Sequence, residues 1–117
     1  MRELKFRTWN KYRTGMHYFE IDMVIDGDGI CSRYDELIFM QYIGNKDKNE
    51  QEIYEDDIVI EYGVKRVVEY CNSCCQYELA TYIKGIGGTV NNVGDINWSQ
   101  LEIVGNKHEN PELYYNE

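Results

Sequence analysis

Cysteines form the first group of residues whose types and spacing could do chemistry in this 117-residue chain. Cys71 and Cys74 have the two-residue spacing of half a zinc-ribbon site, and Cys31 could add a ligand. A second cysteine or histidine pair is missing, because His17 and His108 are isolated and distant in sequence. A redox Cys-x-x-Cys would normally begin a helix in a βαβ unit, which the surrounding pattern does not predict. The chain has four cysteines: Cys31, Cys71, Cys74 and Cys75. We favour inert thiols for them, while structural zinc and redox chemistry stay open.

Carboxylates form the second group. Glu55, Asp56 and Asp57 are consecutive, which suggests a metal site or an acid–base pair. Neighbouring side chains of an extended chain point to opposite faces, so at most Glu55 and Asp57 share a face. No histidine lies nearby in sequence to complete a transition-metal site, and a structural corner is the favoured interpretation. Asp26 and Asp28 alternate with glycines, but the later ligands of an EF-hand loop are missing, so we expect a turn there.

A glycine-rich segment, residues 84–90, is the third group. A phosphate-binding loop needs Gly-Lys-Ser/Thr at the start of a helix, and the order of residues here is different. We therefore expect a flexible surface loop.

The sequence predicts no catalytic residue, no cofactor and no metal ligand, and we expect a protein that is not an enzyme.

Composition favours a β-rich cytoplasmic protein. The chain is 43% hydrophobic and has 11 tyrosines, a mixture that suits the half-buried faces of sheets. Its 12 basic and 21 acidic residues give a net charge of −9, which disfavours general binding to nucleic acid. No run approaches the roughly 20 apolar residues of a membrane helix, and the first residues lack the apolar region of a signal peptide. In a cytoplasm we expect reduced thiols.

Alternating polar and apolar side chains predict most of the elements that must position these groups. Lys5–Trp9 and Met16–Ile25 are predicted to form a hairpin. The apolar run Leu37–Ile43 fits a strand buried on both faces or a short buried helix. A strand is favoured, ended by Gly44 and followed by a polar turn. Further strands are predicted at Asp57–Tyr62, Lys65–Tyr70, Gln76–Ile83 and Leu101–Asn106.

Two segments are harder to assign. Residues 30–36 fit no single pattern, and residues 91–96 are typical of a loop. Ile96–Gln100 is predicted to be either a short helical turn or the beginning of the last strand. Tyr114 and Tyr115 near the end of the chain either pack on a neighbouring surface or fray.

Several blocks of the sequence resemble the YopX family of phage and prophage proteins. They cover the whole chain in the family's order: Met1–Asn10, Met40–Gly44, Lys46–Asn49, Glu52–Val59, Ile103–Asn106 and Glu109–Leu113. The resemblance implies a phage origin, a mostly β fold and self-association. It implies no established catalytic residue.

Two positions depart from the family pattern. The family usually has glycine where Asp56 stands, so Asp56 must tolerate the left-handed conformation if that glycine has positive φ. The family turn commonly reads Lys-Asn-Gly where this chain has Lys48, Asn49 and Glu50, so we expect a tight turn to be opened. The family's Gly-Asp-Ile-Val corner also occurs in SH3-like barrels, which supports by analogy a small barrel for residues 51–117.

We therefore expect an all-β, mainly antiparallel fold with a small barrel-like domain and SH3-like character in its C-terminal half. The chain would be one domain over residues 1–117, with a possible division into subdomains 1–50 and 51–117.

The function that the sequence favours is a non-catalytic protein-interaction module, a phage or prophage accessory protein that binds a host or phage protein. One alternative is a small β-barrel that binds nucleic acid by stacking bases on aromatic side chains. Another is an acidic DNA mimic that occupies a host DNA-binding protein. We also expect a homo-oligomer, formed through Leu37–Ile43 and the Tyr114–Tyr115 tail. The base-stacking residues of the first alternative would be Tyr62, Tyr70, Tyr77 and Tyr82.

Overall fold

Two antiparallel sheets form the fold in a computed structural model that describes residues 4–10, 15–20, 37–73, 75–91 and 96–116. The first sheet has the strand order β2-β1-β3-β4, where the strands are β1 (Lys5–Asn10), β2 (Gly15–Glu20), β3 (Leu37–Lys46) and β4 (Glu52–Tyr54). The second has the order β8-β7-β6-β5-β9, where the strands are β5 (Asp57–Glu61), β6 (Val64–Cys71), β7 (Gln76–Ile83), β8 (Gly87–Asn91) and β9 (Glu102–Asn106). These sheets confirm the all-β, mainly antiparallel class, while the SH3-like character of residues 51–117 stays a prediction.

Most of the predicted strands are present. The β1–β2 hairpin is confirmed by pairing from Lys5 with Glu20 to Asn10 with Gly15. A short 3₁₀ turn at Trp98–Gln100 confirms the helical alternative for that segment. No helix among the described residues has the length and apolar character needed to cross a bilayer. The segments predicted at 21–36, including the aspartate–glycine turn, lie outside the described residues.

Three predictions about these elements are wrong in part. Gly44 does not end β3, because a positive φ of 91° lets the strand continue to Lys46. The same strand is not buried on both faces, since Phe39 is 38% exposed. The glycine-rich segment predicted to be a loop contains β8, which pairs with β7 from Gly87–Ile83 to Asn91–Leu79. Glycine has a low strand propensity, so the sequence did not predict this strand. Hydrogen bonding to β7 holds the segment in the extended conformation.

The core takes side chains from both sheets. Its buried members are Ile43, Ile53, Val59, Val68, Leu79 and Leu101. Ile43 and Ile53 come from the first sheet, and Val59, Val68 and Leu79 come from the second. The chain passes from one sheet to the other at residues 55 and 56, a few residues after the division predicted at 50 and 51.

A buried ion pair joins the sheets. Arg7 on β1 places Nη2 2.8 Å from Oδ1 of Asp57 on β5, and both side chains are only 3% exposed. The guanidinium also donates to the Glu55 carbonyl at 2.9 Å, and the Tyr54 N–H donates to Asp57 Oδ2 at 2.8 Å. The ring of Tyr54 covers the guanidinium, with its centroid 4.9 Å away. Each charge thus has several partners, which a buried pair needs to offset its desolvation.

Asp47 fastens the turn between β3 and β4. Its buried carboxylate accepts the N–H groups of Asn49 and Gln51 at 2.9 Å, and that of Ile103 at 3.0 Å. Glu50 adopts φ 65°, the conformation that glycine favours. The expectation that this turn would open is wrong, because the hydrogen bonds of Asp47 hold it closed without a glycine.

Replacing Arg7 by alanine should destabilise the fold by about 3–5 kcal/mol, because it leaves the Asp57 carboxylate buried without its counter-charge. Urea unfolding near pH 7.5 measures this loss. Lys48→Ala is the matched control, since it breaks a 3.6 Å pair with Glu102 whose side chains are about half exposed. The control should lose less than about 1 kcal/mol, and similar losses in the two variants would contradict the structural role of Arg7.

Stability should also depend on the titration of Asp57. Burial raises the pKa of Asp57 to about 6, although Arg7 and the Tyr54 N–H act in the opposite direction. The folded state therefore binds this proton more tightly than the unfolded state, so the resulting stability is present near pH 4 and is lost as the pH rises through 6.

Unfolding free energies of the wild type and Asp57→Asn at several pH values isolate this titration. From pH 7 to pH 4, the difference should shift in favour of the wild type by roughly 2 kcal/mol. A difference that stays constant, or shifts the other way, would show that Asp57 is ionised throughout.

Candidate interaction surface

Large apolar side chains are exposed at one end of the second sheet. Tyr62 is 99% exposed in the β5–β6 turn, Ile86 is 78% exposed in the β7–β8 turn, and Tyr115 is 47% exposed beside them. Val67 pairs with Ala80, so the antiparallel register brings the beginning of β6 level with the end of β7 and places the two turns side by side. We call these three side chains, with Lys65 and Lys84, the tip surface.

The β5–β6 turn holds Tyr62 in an unusual conformation. Tyr62 and Gly63 have φ of 50° and 80°, the two positive values that a type I′ hairpin turn requires. Asparagine followed by glycine is the preferred pair there, and tyrosine in the left-handed region costs roughly 1–2 kcal/mol. The ring lies in solvent, so burial does not offset this cost. Strain of this kind is often found at functional sites.

Asn116 ties the end of the chain to the tip surface. Its N–H donates to the Tyr82 carbonyl at 2.7 Å, and its carbonyl accepts from the Lys84 N–H at 3.0 Å. Its side-chain amide donates to the Lys65 carbonyl at 2.9 Å and accepts from the Lys65 N–H at 3.2 Å. Of the two alternatives for the tail, packing is confirmed, on the second sheet of the same chain.

Tyr115 packs on a pair of stacked aromatic rings. The ring of Tyr114 stacks on that of Tyr82 with centroids 4.4 Å apart, and Tyr115 meets Tyr114 edge to face at 4.8 Å. The Tyr82 hydroxyl donates to Glu69, and burial together with this bond raises the pKa of Tyr82. Gly88 leaves room for the ring, since a Cβ there would lie 2.5 Å from Tyr82 Cε1.

The charges of the tip surface differ from those elsewhere on the described residues. Five basic side chains pair with carboxylates within 4.0 Å: Lys5, Arg7, Lys48, Arg66 and Lys107. Arg66 neutralises Glu61, the carboxylate beside the β5–β6 turn, at 2.7 Å. Lys65 and Lys84 make no ion pair with a described residue, and Lys46 on β3 is the third such lysine. Among the described residues, the tip surface therefore carries two lysines without a carboxylate partner, in a chain of net charge −9.

The acidic corner does gain a histidine in space, contrary to the inference from sequence distance. His108 Nε2 lies 2.9 Å from Asp56 Oδ2, and the imidazole stacks on Trp9 with centroids 5.8 Å apart. Asp56 has φ 72°, which confirms that it takes the left-handed conformation. Burial acts to raise the pKa of Asp56, but the hydrogen bond from His108 and the charge of Lys107 hold it below its usual value. These contacts make a structural corner.

The cysteines do not converge within the described part of the chain. Cys71 Sγ lies 3.3 Å from the Ser73 hydroxyl, and the Cys75 thiol donates to the Asn72 carbonyl at 3.6 Å. The Cys75 thiol is free, and Cys31 and Cys74 lie outside the described residues. Among the described histidines, cysteines and carboxylates, no three are grouped to hold a metal ion.

The four tyrosines proposed to stack bases do not form one platform. Tyr70 and Tyr77 meet edge to face at 5.0 Å beside the β6–β7 turn, at the opposite end of the sheet from Tyr62. Tyr82 is covered by Tyr114. Base stacking on these four residues would therefore use separate sites, and the nucleic-acid alternative stays a prediction.

The apolar run 37–43 is largely used within its own chain. Met40, Tyr42 and Ile43 are buried, while Phe39 keeps an exposed ring. Self-association stays a prediction, and Phe39 is the most exposed large side chain that this run could contribute to it.

Sequence analysis missed Ile86 and the two lysines of the tip surface, because it assigned each to its own turn or strand. One local signal was present. A tyrosine and a glycine form the two-residue connection between β5 and β6, where asparagine would give the more stable turn.

The sheet topology and the tip surface describe a small all-β protein with an exposed apolar end. The family model described as YopX protein matches residues 24–114, and the chain therefore belongs to the YopX family.

Among solved structures, the chain is similar to the crystal structure of protein EF1440 from Enterococcus faecalis, with a TM-score of 0.57. The two are 18% identical, and the match covers 97% of this chain and 99% of that one. A search of curated proteins finds no match. At this identity, the similarity to EF1440 concerns the fold.

Gly88→Ala should destabilise the fold by about 1–3 kcal/mol, because its Cβ would displace the Tyr82 ring and break the stack with Tyr114. Thermal unfolding measures the stability, and the NMR shifts of the Tyr114 ring report the stack. Gly15→Ala in β2 is the control, since its Cβ would meet its nearest atom at an ordinary 3.7 Å. An unchanged Tyr114 spectrum in Gly88→Ala would contradict this account of the support below Tyr115.

Proposed function

We propose that this YopX-family chain is a phage or prophage accessory protein, which acts in the bacterial cytoplasm by binding another protein through its tip surface and catalyses no reaction. Tyr62 is the observation that carries the proposal. A ring that is 99% exposed, on a backbone with φ 50°, contributes little to folding and costs conformational energy. Burial of the ring by a partner would offset this conformational cost and would explain why the residue is placed there.

The surroundings of Tyr62 support a binding role. Tyrosine and isoleucine offer large contact area, and tyrosine gives it at a low cost in side-chain entropy. The Asn116 hydrogen bonds and the Tyr82–Tyr114 stack fix the tail against the sheet before any partner arrives. Such pre-organisation lowers the entropy lost on association. The neighbouring turn adds Ile86, so the exposed apolar groups come from three separate segments.

The alternatives have weaker support. The separation of Tyr70 and Tyr77 from Tyr62 divides the aromatic residues that base stacking would use. Ion pairs intersperse basic groups among the described carboxylates, which interrupts the continuous acidic face that a DNA mimic needs.

Affinity capture from host lysate with and without nuclease, compared between the wild type and Tyr62→Asn, tests the proposal. Asparagine suits the turn, so this variant should be about 1 kcal/mol more stable and yet lose the captured protein. Because stability and binding should change in opposite directions, misfolding does not explain the loss.

Cys75→Asn is the matched control. Cys75 is an exposed residue with φ 55° in the β6–β7 turn at the other end of the sheet. This variant relieves the same kind of backbone strain and should capture the same protein as the wild type. Identical capture by Tyr62→Asn, or capture that disappears with nuclease, would contradict the proposal.

A further inference from the structure

Resting on the function proposed above, we propose that the partner of the tip surface is an acidic protein segment that also carries apolar side chains. Tyr62 and Ile86 would bury the apolar groups of the segment, and Lys65 and Lys84 would pair with its carboxylates.

The placement of the two lysines gives the first argument. Their backbones are held by one residue, since Asn116 bonds to the Lys65 and Lys84 main chains at 2.9–3.2 Å. Neither ammonium group has a carboxylate partner among the described residues, while five other basic side chains do. Two lysines whose main chains bond to the same residue, and which have no carboxylate partner among the described residues, favour a partner with negative charge.

The net charge of −9 does not remove this preference. At physiological salt the Debye length is about 8 Å, whereas the molecule measures 42 × 35 × 30 Å. Carboxylates of the first sheet are therefore screened from a segment at the tip. Glu61, the nearest acid along the chain, is already paired with Arg66 at 2.7 Å. Among the described residues of the tip surface, an acidic segment would therefore meet Lys65 and Lys84.

The apolar groups distinguish a protein segment from nucleic acid. Ile86 is 78% exposed and offers an aliphatic surface that a phosphate backbone does not use. Two lysines are also few for a nucleic-acid site, since phosphate contacts supply most of its affinity and the rest of the chain is acidic. An acidic segment with Leu, Ile or Phe between its carboxylates fits both the lysines and the apolar tips.

Selection of a random peptide library on the full-length chain, with counter-selection on a Tyr62→Asn/Ile86→Ser variant, tests this inference. We expect the enriched peptides to combine Asp or Glu with large apolar residues. Affinities of one synthesised peptide for the wild type and for Lys65→Gln/Lys84→Gln then measure the charge contribution. The double variant should bind about threefold to tenfold more weakly, and the difference should shrink at high salt.

Lys46→Gln is the control, because it removes a lysine of the other sheet that makes no ion pair with a described residue, and it should leave the affinity unchanged. Enriched peptides that need Tyr62 and Ile86 but show no acidic preference would overturn this inference and leave the proposed function standing. A short oligothymidylate that binds the tip more tightly than the peptides would overturn it in favour of nucleic acid. If no peptide depends on Tyr62 and Ile86, the proposed function fails as well.

Discussion

The buried pair of Arg7 and Asp57 is the constraint on which the joining of the two sheets depends. Moving an ion out of water costs several kcal/mol even in real proteins, and only close, well-bonded partners offset that cost. Arg7 belongs to the first sheet and Asp57 to the second, so neither charge is satisfied until the sheets dock. Two backbone groups also bind the pair: the Glu55 carbonyl lies in the short connection between the sheets, and the Tyr54 N–H lies at the end of β4, directly before it. The pair therefore specifies how this connection is folded.

Backbone geometry is retained at two positions where the sequence departs from its family. Glu50 and Asp56 both have positive φ, although neither is glycine. In each case a neighbouring side chain supplies the stabilisation that glycine would give by its freedom: Asp47 binds the turn around Glu50, and His108 binds Asp56. The conformation of each turn is thus set by hydrogen bonds from elsewhere as much as by the residue in it.

The elements that could be predicted from the sequence are those marked by a pattern within a few neighbouring residues. The strands around residues 5, 58, 66 and 79 show either alternating side chains or a short apolar run bounded by polar residues, so the local pattern predicts them. β8 was not predicted because it begins with two glycines, which give no strand pattern; the ring of Tyr82 on the neighbouring strand packs against Gly88. The long-range pairs, Arg7 with Asp57 and His108 with Asp56, join residues about 50 positions apart, and no local pattern relates them. Of the tip surface, only the Tyr62–Gly63 turn has a local signal.

The tip surface is built from turns and a tail, while the core and the Arg7–Asp57 pair lie elsewhere in the fold. Tyr62 and Ile86 are almost fully solvated, so their replacement should cost the scaffold little, and at position 62 it should even stabilise it. Distant positions of this kind change independently of the core. Such a separation leaves the turns free to diversify: their exposed side chains can change through a few substitutions without passing through an unstable intermediate sequence.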